Sequence, residues 1–118
     1  MNRPLRKSAP FETDVAMQFG WYVREVGERT AWRFLDAVER TIARLANQPE
    51  IGRVRCFKDT RLQGLRSLRV DVPFGKVLIF YRAAPDGIEL WRLMHGARHF
   101  QRRAGGSQRR AGGGARRR

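Results

Sequence analysis

Two apolar runs in the second half of the chain flank a short turn signal. They cover residues 77–81 and 88–94, and Pro85-Asp86-Gly87 separates them. β-branched and aromatic side chains favour strands, proline presets the φ angle of a turn, and glycine accepts a positive φ angle. The pattern therefore predicts a β-hairpin.

Two further strands are predicted upstream of this hairpin. Residues 65–72 (LRSLRVDV) form one of them, and Pro73-Phe74-Gly75 turns the chain back into the hairpin. Residues 5–8 predict a short strand at the edge of the sheet, where Arg6 and Lys7 discourage further pairing. Together these strands predict a small antiparallel sheet.

The strand at residues 77–81 is apolar on both faces, since Val77, Ile79 and Tyr81 alternate with Leu78 and Phe80. This pattern is typical of a strand in the middle of a sheet that is covered on both sides. We expect Tyr81 to lie in the core with Val77 and Ile79. We also expect helices on one side of the sheet, and on the other an apolar groove that a partner occupies.

Residues 10–26 predict an amphipathic helix that Gly27 ends. Pro10 suits a first helical turn, and Glu12 and Asp14 suit the positive end of the helix dipole. Apolar side chains recur at helical spacing, namely at Val15, Phe19, Tyr22 and Val26.

A second helix is predicted to begin near Glu28 and to end at Asn47-Gln48-Pro49. Its apolar stripe consists of Trp32, Leu35, Val38, Ile42 and Leu45. The opposite face carries Arg33, Asp36, Arg40 and Arg44, which indicates a solvated surface. Residues 50–64 then form a loop. An antiparallel helical hairpin that covers one face of the sheet makes the predicted fold class α+β.

The chain is strongly basic, with 25 lysines and arginines against 11 acidic residues. Residues 101–118 contain seven of the arginines and no acid, and they have no apolar anchor. This composition predicts a disordered Arg/Gly-rich tail after a single folded domain at residues 1–100. A basic folded body is typical of a protein that meets a polyanion or an acidic protein surface.

The composition also argues against several classes of protein. No segment reaches the roughly 20 apolar residues of a membrane span, and the N-terminus lacks the apolar core of a signal peptide, so we expect a cytoplasmic protein. One cysteine, Cys56, and two histidines, His95 and His99, do not suffice for a typical zinc site. We therefore expect neither a metal nor a cofactor.

The order of these elements and several short motifs resemble the RelE/ParE superfamily of toxins from bacterial type II toxin–antitoxin modules. The motifs are WRFL at residues 32–35, GLR at 64–66, IFYR at 79–82 and HGAR at 95–98. The resemblance covers residues 5–100, and the HGAR ending is most similar to the ParE-like branch. Members of that branch commonly carry an aspartate after this tetrapeptide, whereas this chain has His99.

The resemblance implies one of two activities. ParE-like toxins are non-enzymatic and poison DNA gyrase by binding it, whereas RelE-like toxins are metal-free ribonucleases that cut mRNA on the ribosome. A cognate antitoxin protein neutralises either kind. The gyrase interpretation is favoured, because Lys58 and Lys76 are the only lysines in the later half of the chain and RelE-like nucleases have a lysine-rich cleft.

The candidate site residues follow from these activities. For a ribonuclease, Arg66, Arg69 and Arg82 suit a phosphate and His95 suits proton transfer near neutral pH. For binding of an antitoxin or a target, the candidates are cations of the loop and the strands, namely Arg53, Arg55, Lys58, Arg61, Arg66, Arg82, Arg92, His95 and Arg98. A third hypothesis is a basic nucleic-acid-binding module in which the tail makes non-specific contacts.

Overall fold

In a computed structural model of the chain, two helices pack on one face of a five-stranded sheet. The structure describes residues 4–95. The elements in chain order are β1 (Leu5–Lys7), α1 (Ala9–Glu25), α2 (Glu28–Asn47), β2 (Arg53–Val54), β3 (Leu65–Arg69), β4 (Val77–Ala84) and β5 (Gly87–His95), with single 3-10 turns at Pro49–Ile51 and Thr60–Leu62. The predicted α+β class and helical hairpin are confirmed.

The strands lie in the order β1-β5-β4-β3-β2. Neighbours in the sheet are antiparallel, except that β1 runs parallel to β5, with Leu5 opposite Ile88. The sheet is therefore mixed, and not purely antiparallel as predicted. The predicted loop at residues 50–64 was wrong in one part, because it contains β2. Only Arg53 and Val54 pair with β3, which is too short a segment for alternation to indicate a strand.

The predicted hairpin is confirmed, with both arms longer than expected. Ala84 and Gly87 pair across a turn made by Pro85 and Asp86. Gly87 has a φ angle of +155°, and a Cβ atom at this position would lie 2.8 Å from the carbonyl oxygen of Pro4. Glycine at this turn thus lets the N-terminal segment approach β5, where the Ile88 N–H donates to the Pro4 carbonyl over 2.8 Å.

Ser8 joins the end of β1 to the start of α1. Its Oγ accepts a hydrogen bond from the Phe11 N–H at 3.0 Å, which caps the helix, and donates to the Trp91 carbonyl at 2.7 Å. Its own N–H donates to the Leu90 carbonyl. Gly27 separates the helices with a φ angle of +132°, as the predicted break requires.

The main core lies between the helices and the sheet, and two predicted core positions are wrong. Val38, Ile42 and Leu45 are buried as expected, whereas Trp32 is 56% exposed and Val26 is 55% exposed. The inward face of α2 instead includes Ala31, Phe34, Ala37, Thr41 and Ala46. Positions 32 and 34 are about 200° apart around a helix, so burial of the Phe34 ring turns the Trp32 ring outward, where it meets Phe19 edge-on.

The far side of the sheet is also closed over its centre. Leu78, Phe80 and Met94 form a second buried cluster, against which Phe57 and Trp91 pack. Phe80 is only 1% exposed. The expected open apolar groove on this face is therefore wrong at these positions, because a side chain of the β2–β3 connection and one of β5 cover them. No helix among the described residues is long and apolar enough to cross a membrane.

Candidate partner-binding site

Arg66 and Arg82 hold the connection between α2 and β3 in place. The Nη1 of Arg66 donates to the carbonyl oxygens of Glu50 at 3.1 Å and Gly52 at 2.9 Å. The Nη2 of Arg82 donates to the carbonyl oxygens of Arg61 at 2.9 Å and Gln63 at 3.3 Å. Each guanidinium thus satisfies two main-chain acceptors of an irregular segment.

The strand register assigns Arg66 and His95 to the helix-covered face of the sheet. Residues directly opposite in antiparallel strands point to the same face. Arg66 lies opposite Tyr81, and His95 lies opposite Val77. Both Tyr81 and Val77 belong to the main core between the helices and the sheet.

The same register assigns Arg69 and Arg82 to the far face. Arg69 lies opposite Leu78, and Arg82 is two residues beyond Phe80 on β4. Leu78 and Phe80 belong to the cluster on the far face. The structure therefore does not bring the four predicted nuclease residues together on one face.

Two other candidate cations form ion pairs within the chain. The guanidinium of Arg61 contacts Asp59 at 2.6 Å and, with the Arg61 N–H, lowers the pKa of that carboxyl to about 2. Arg92 donates to Asp14 through Nε at 2.7 Å and Nη2 at 2.9 Å, and this contact raises the pKa of Arg92. The Leu93 N–H donates to the same carboxylate. Partner binding by these two arginines stays a prediction.

Three further candidate cations, Arg53, Arg55 and Arg69, line a groove of about 530 Å³ beside the short strand β2. We call it the guanidinium groove; its polar lining comprises Arg44, Arg53, Arg55, Ser67, Arg69 and Lys76. None of its described lining residues is acidic. Within residues 4–95, Arg53, Arg69 and Lys76 have no ion-pair partner, and neither does the exposed Lys58.

Like charges crowd one another in the guanidinium groove. Arg55 is half-buried, and its Nε donates to Ser67 Oγ at 2.6 Å. Burial lowers the pKa of Arg55, and repulsion from Arg53 and Arg69 lowers it further. The fold thus holds three guanidinium groups close together, and none of the described residues that line the guanidinium groove is acidic. A bound anion would relieve this repulsion.

A second groove of about 500 Å³ lies between the end of α1 and the turn that follows β3. We call it the aromatic groove; its lining includes Trp21, Tyr22, Val26, Pro73, Phe74 and His95. The Tyr22 and Phe74 rings meet edge-on with centroids 5.4 Å apart, and Trp21 is 40% exposed. His95, a predicted site residue, therefore shares a largely apolar groove with two cations, Arg69 and Lys76.

A third groove of about 480 Å³, the linking groove, connects the same region to α2 through Arg40, Arg44 and Asp71. Asp71 is paired with Arg44 at 2.9 Å and with Arg40 at 3.5 Å. Arg69 and Gly75 line all three grooves. These two residues therefore mark the point at which the grooves meet.

Sequence reasoning found the cations of this site but missed its apolar part. Trp21 and Phe74 come from elements far apart in sequence, and their proximity follows only from the packing of α1 on the sheet. One signal was available, because Trp21 lies off the apolar stripe of α1 and a large aromatic residue outside the stripe indicates an exposed ring. Arg98 and the rest of the HGAR motif after His95, together with the predicted tail at residues 101–118, lie outside the described residues.

The described residues contain no group of three side chains suited to hold a metal ion. The three grooves present cations, one carboxylate at Asp71, and apolar side chains. Such a set can bind an anionic or apolar partner by hydrogen bonds, charge and burial.

Comparison with known families decides the identity of the fold. The model of the ParE toxin of the type II toxin–antitoxin system parDE matches residues 5–100. The chain belongs to the ParE toxin family. The predicted RelE/ParE resemblance is thereby confirmed over residues 5–100, the range that it was predicted to cover. Of the two branches, the match is to the ParE family.

Two solved structures share the fold at low sequence identity. A chain of the chromosomal ParDE toxin–antitoxin system from P. aeruginosa superposes with a TM-score of 0.64 and 16% identity, covering 79% of this chain and 95% of that one. A chain of the E. coli DinJ–YafQ toxin–antitoxin complex gives a TM-score of 0.57 and 12% identity, covering 85% and 99%. No curated protein sequence matches the chain significantly.

Proposed function

We propose that this ParE-family protein is a toxin that a cognate antitoxin neutralises, and that the unbound toxin arrests growth in the cytoplasm by binding DNA gyrase. The observation that carries the proposal is the family match over residues 5–100, which spans all but one of the described residues. Both structural neighbours come from toxin–antitoxin systems, which supports an antitoxin as the partner.

The positions of the arginines favour binding over RNA cleavage. A metal-free ribonuclease needs cations on the scissile phosphate and a proton donor for the leaving oxygen in one cleft. Here Arg66 and Arg82 are engaged by main-chain carbonyls and lie on opposite faces of the sheet. His95 shares a groove with Arg69 and Lys76, but that groove contains neither Arg66 nor Arg82, and much of its wall is aromatic and apolar. The chain is better suited to act on its target as a protein ligand.

A supercoiling assay tests the target. The purified full-length chain, free of antitoxin, is added to DNA gyrase and relaxed plasmid, and we expect loss of supercoiling at a stoichiometric ratio to the enzyme. A protein this basic can also inhibit by coating DNA. The control is therefore plasmid relaxation by topoisomerase I at the same protein concentration, which we expect to be unaffected.

Two results contradict the gyrase proposal. One is unchanged supercoiling at stoichiometric excess, and the other is equal inhibition of gyrase and topoisomerase I. Primer extension on transcripts from expressing cells gives an independent check, since we expect intact transcripts. Neutralisation is tested by co-expressing the small protein encoded beside the toxin gene, which we expect to restore growth.

A further inference from the structure

We propose that the exposed side of α2 is an interface with a second copy of this chain, in which two α2 helices pack antiparallel about a two-fold axis at Asp36. We call the exposed residues of Glu28–Asn47 the outer face of α2. This face lies opposite the buried residues that pack on the sheet. The inference goes beyond the proposed function, because it concerns self-association and does not involve an antitoxin or a target.

An exposed tryptophan distinguishes this face from an ordinary solvated helix surface. Trp32 exposes 56% of its surface, although tryptophan is highly buried on average. Phe19 of α1 meets the Trp32 ring edge-on, with centroids 5.1 Å apart, and Val23 lies one turn further along the same side of α1. The ring is therefore supported from within the chain and leaves apolar surface that a partner can cover.

The charge of the outer face of α2 permits contact between two copies. The whole chain has 25 basic residues against 11 acidic ones, so two copies repel each other over most of their surface. The outer face instead carries three acidic residues, Glu28, Asp36 and Glu39, and four arginines. Two copies that meet through this nearly neutral face therefore meet with little net repulsion.

The order of charges on this face is complementary to itself about Asp36. Successive residues of a helix are 100° apart, so residues equally far before and after Asp36 lie on opposite sides of it. A two-fold axis at Asp36 exchanges the two sides, and it places Arg33 of one copy against Glu39 of the other and Trp32 against Arg40. Each contact occurs twice. The first is an ion pair, and in the second a guanidinium covers the exposed ring.

The same axis also pairs the residues nearer the ends of α2. Glu28 faces Arg44 of the other copy, and Arg29 faces the small side chain of Ala43. Among these positions the one like-charge contact is between the two copies of Asp36, and it is flanked by arginines one turn away on each helix. The face is therefore suited to a copy of itself in the antiparallel direction.

The paired side chains are accessible in the single chain. Glu39 contacts Lys7 at 3.5 Å and Arg40 contacts Asp71 at 3.5 Å, and the side chains of Glu39 and Arg40 are each more than half exposed. Exposed contacts of this kind contribute little to stability. Arg33 has no ion-pair partner within residues 4–95. These three side chains can therefore turn to a second copy with little loss.

The size of the contact predicts a weak dimer. The paired residues run from Glu28 to Arg44, which is about 25 Å along a helix about 10 Å wide. Such a strip is smaller than the roughly 600 Å² per copy at the lower end of stable interfaces. We therefore expect a dissociation constant on the order of 10 to 100 μM, so that the chain is mostly monomeric at about 1 μM.

The test measures self-association of the full-length chain by sedimentation equilibrium from about 1 to 300 μM at physiological salt. The variants Arg33→Glu and Glu39→Arg each set like charges opposite one another twice in the dimer, and we expect each to weaken association at least about tenfold. An equimolar mixture of the two variants should associate as tightly as the wild type, because the changed charges are complementary between the copies. The double variant should do so for the same reason.

Lys58→Glu is the matched control, since it makes the same charge change as Arg33→Glu at an exposed position of the β2–β3 connection. A lower net charge reduces the general repulsion between copies. Lys58→Glu should therefore leave association unchanged or strengthen it slightly, whereas Arg33→Glu should weaken it. Asp36→Asn removes the like-charge contact on the axis and should strengthen association. Circular dichroism of each variant verifies the fold.

Three results overturn the proposal. The first is a wild-type chain that stays monomeric at about 300 μM. The second is equal association of Arg33→Glu and Lys58→Glu, which indicates a general charge effect. The third is a mixture of folded Arg33→Glu and Glu39→Arg that associates no more tightly than either variant alone. Each of these results leaves the proposed function standing, because that function is tested on gyrase and on the co-expressed neighbour.

Discussion

Tyr81 connects the core to the irregular segment that follows α2. Its ring is fully buried, as its phase with Val77 and Ile79 predicts. Its hydroxyl donates to the Pro49 carbonyl at 2.8 Å and accepts from the Gly52 N–H at 2.8 Å. A buried hydroxyl with both a donor and an acceptor partner is fully satisfied. Alternation revealed the burial of Tyr81, but these hydrogen-bond partners depend on tertiary packing, which no local pattern encodes.

Removal of this hydroxyl should destabilise the protein. In Tyr81→Phe the buried Pro49 carbonyl and Gly52 N–H lose their partner, at a cost of about 1–3 kcal/mol. Urea unfolding followed by circular dichroism measures the difference. The control is Tyr22→Phe, which removes the hydroxyl of a partly buried ring and should cost less. An equal loss of stability in Tyr81→Phe and Tyr22→Phe would contradict the role of the Tyr81 hydroxyl in holding Pro49 and Gly52.

The pH dependence of stability gives a second check on Tyr81. Burial raises the pKa of this phenol above its ordinary value of 10.0. The folded state therefore holds the phenol proton more tightly than the unfolded state does. The resulting contribution to the free energy of unfolding is complete below pH 10 and is lost as the pH rises through the raised pKa. We expect the free energy of unfolding to fall with rising pH above this value, and to fall less steeply in Tyr81→Phe. Urea unfolding of both proteins at several pH values above 10 measures this difference. An equal pH dependence of the free energy of unfolding in the wild type and Tyr81→Phe would contradict the prediction.

At the scale of elements, the sequence predicted the long periodic helices and strands. It did not predict which side of α2 faces the core. Both helices and the β4–β5 hairpin follow from their spacing and their Gly and Pro signals. The inward face of α2 was misplaced because Ala31 and Ala37, both fully buried, mark it as strongly as Phe34 does. Small residues allow a helix to approach a sheet closely. A prediction based on the spacing of large apolar side chains overlooks them.

The contact between α1 and β5 provides an element-scale prediction. Asp14 accepts hydrogen bonds from Arg92 and from the Leu93 N–H, and both side chains of the ion pair are largely shielded. Asp14→Ala leaves a shielded cation and a main-chain donor without this partner, so we expect a loss of about 2–3 kcal/mol.

Chemical denaturation of Asp14→Ala measures this loss, and an exposed ion pair supplies the control. Lys7 and Glu39 lie 3.5 Å apart with side chains 36% and 65% exposed. Glu39→Ala should therefore change stability by at most about 0.5 kcal/mol. A loss in Asp14→Ala as small as that in Glu39→Ala would show that α1 is not held to β5 by this pair.

At the scale of the whole molecule, the candidate site was only partly predictable. The cations of residues 53–69 were identified from charge alone. The sequence did not show which cations lie on which face of the sheet, because this depends on the register of β3 and β4. A shift of one residue in that register moves every side chain of the strand to the opposite face. The meeting of Trp21 with Phe74 and Gly75 depends on how α1 packs against the sheet, which a single sequence leaves undetermined.

The distribution of stability across the molecule is also testable. β4 and β5 form eight residue pairs and lie inside the sheet, whereas β2 has two pairs and lies at its edge. We expect amides of β4 and β5 to exchange with solvent only on global unfolding, and those of β2 and residues 55–64 to exchange through local opening. Native-state hydrogen exchange by NMR at increasing urea separates the two classes. Uniform protection across the sheet would contradict this ranking.

The parallel pairing of β1 with β5 has a consequence for synthesis. Leu5 is synthesised before its neighbour Ile88, and more than 80 residues are added between the two. Translation runs at about 5–20 residues per second, so the first strand waits several seconds for a place in the sheet. A nascent chain therefore cannot display the finished fold, and the surfaces that depend on this sheet form only once nearly all of the domain has been made.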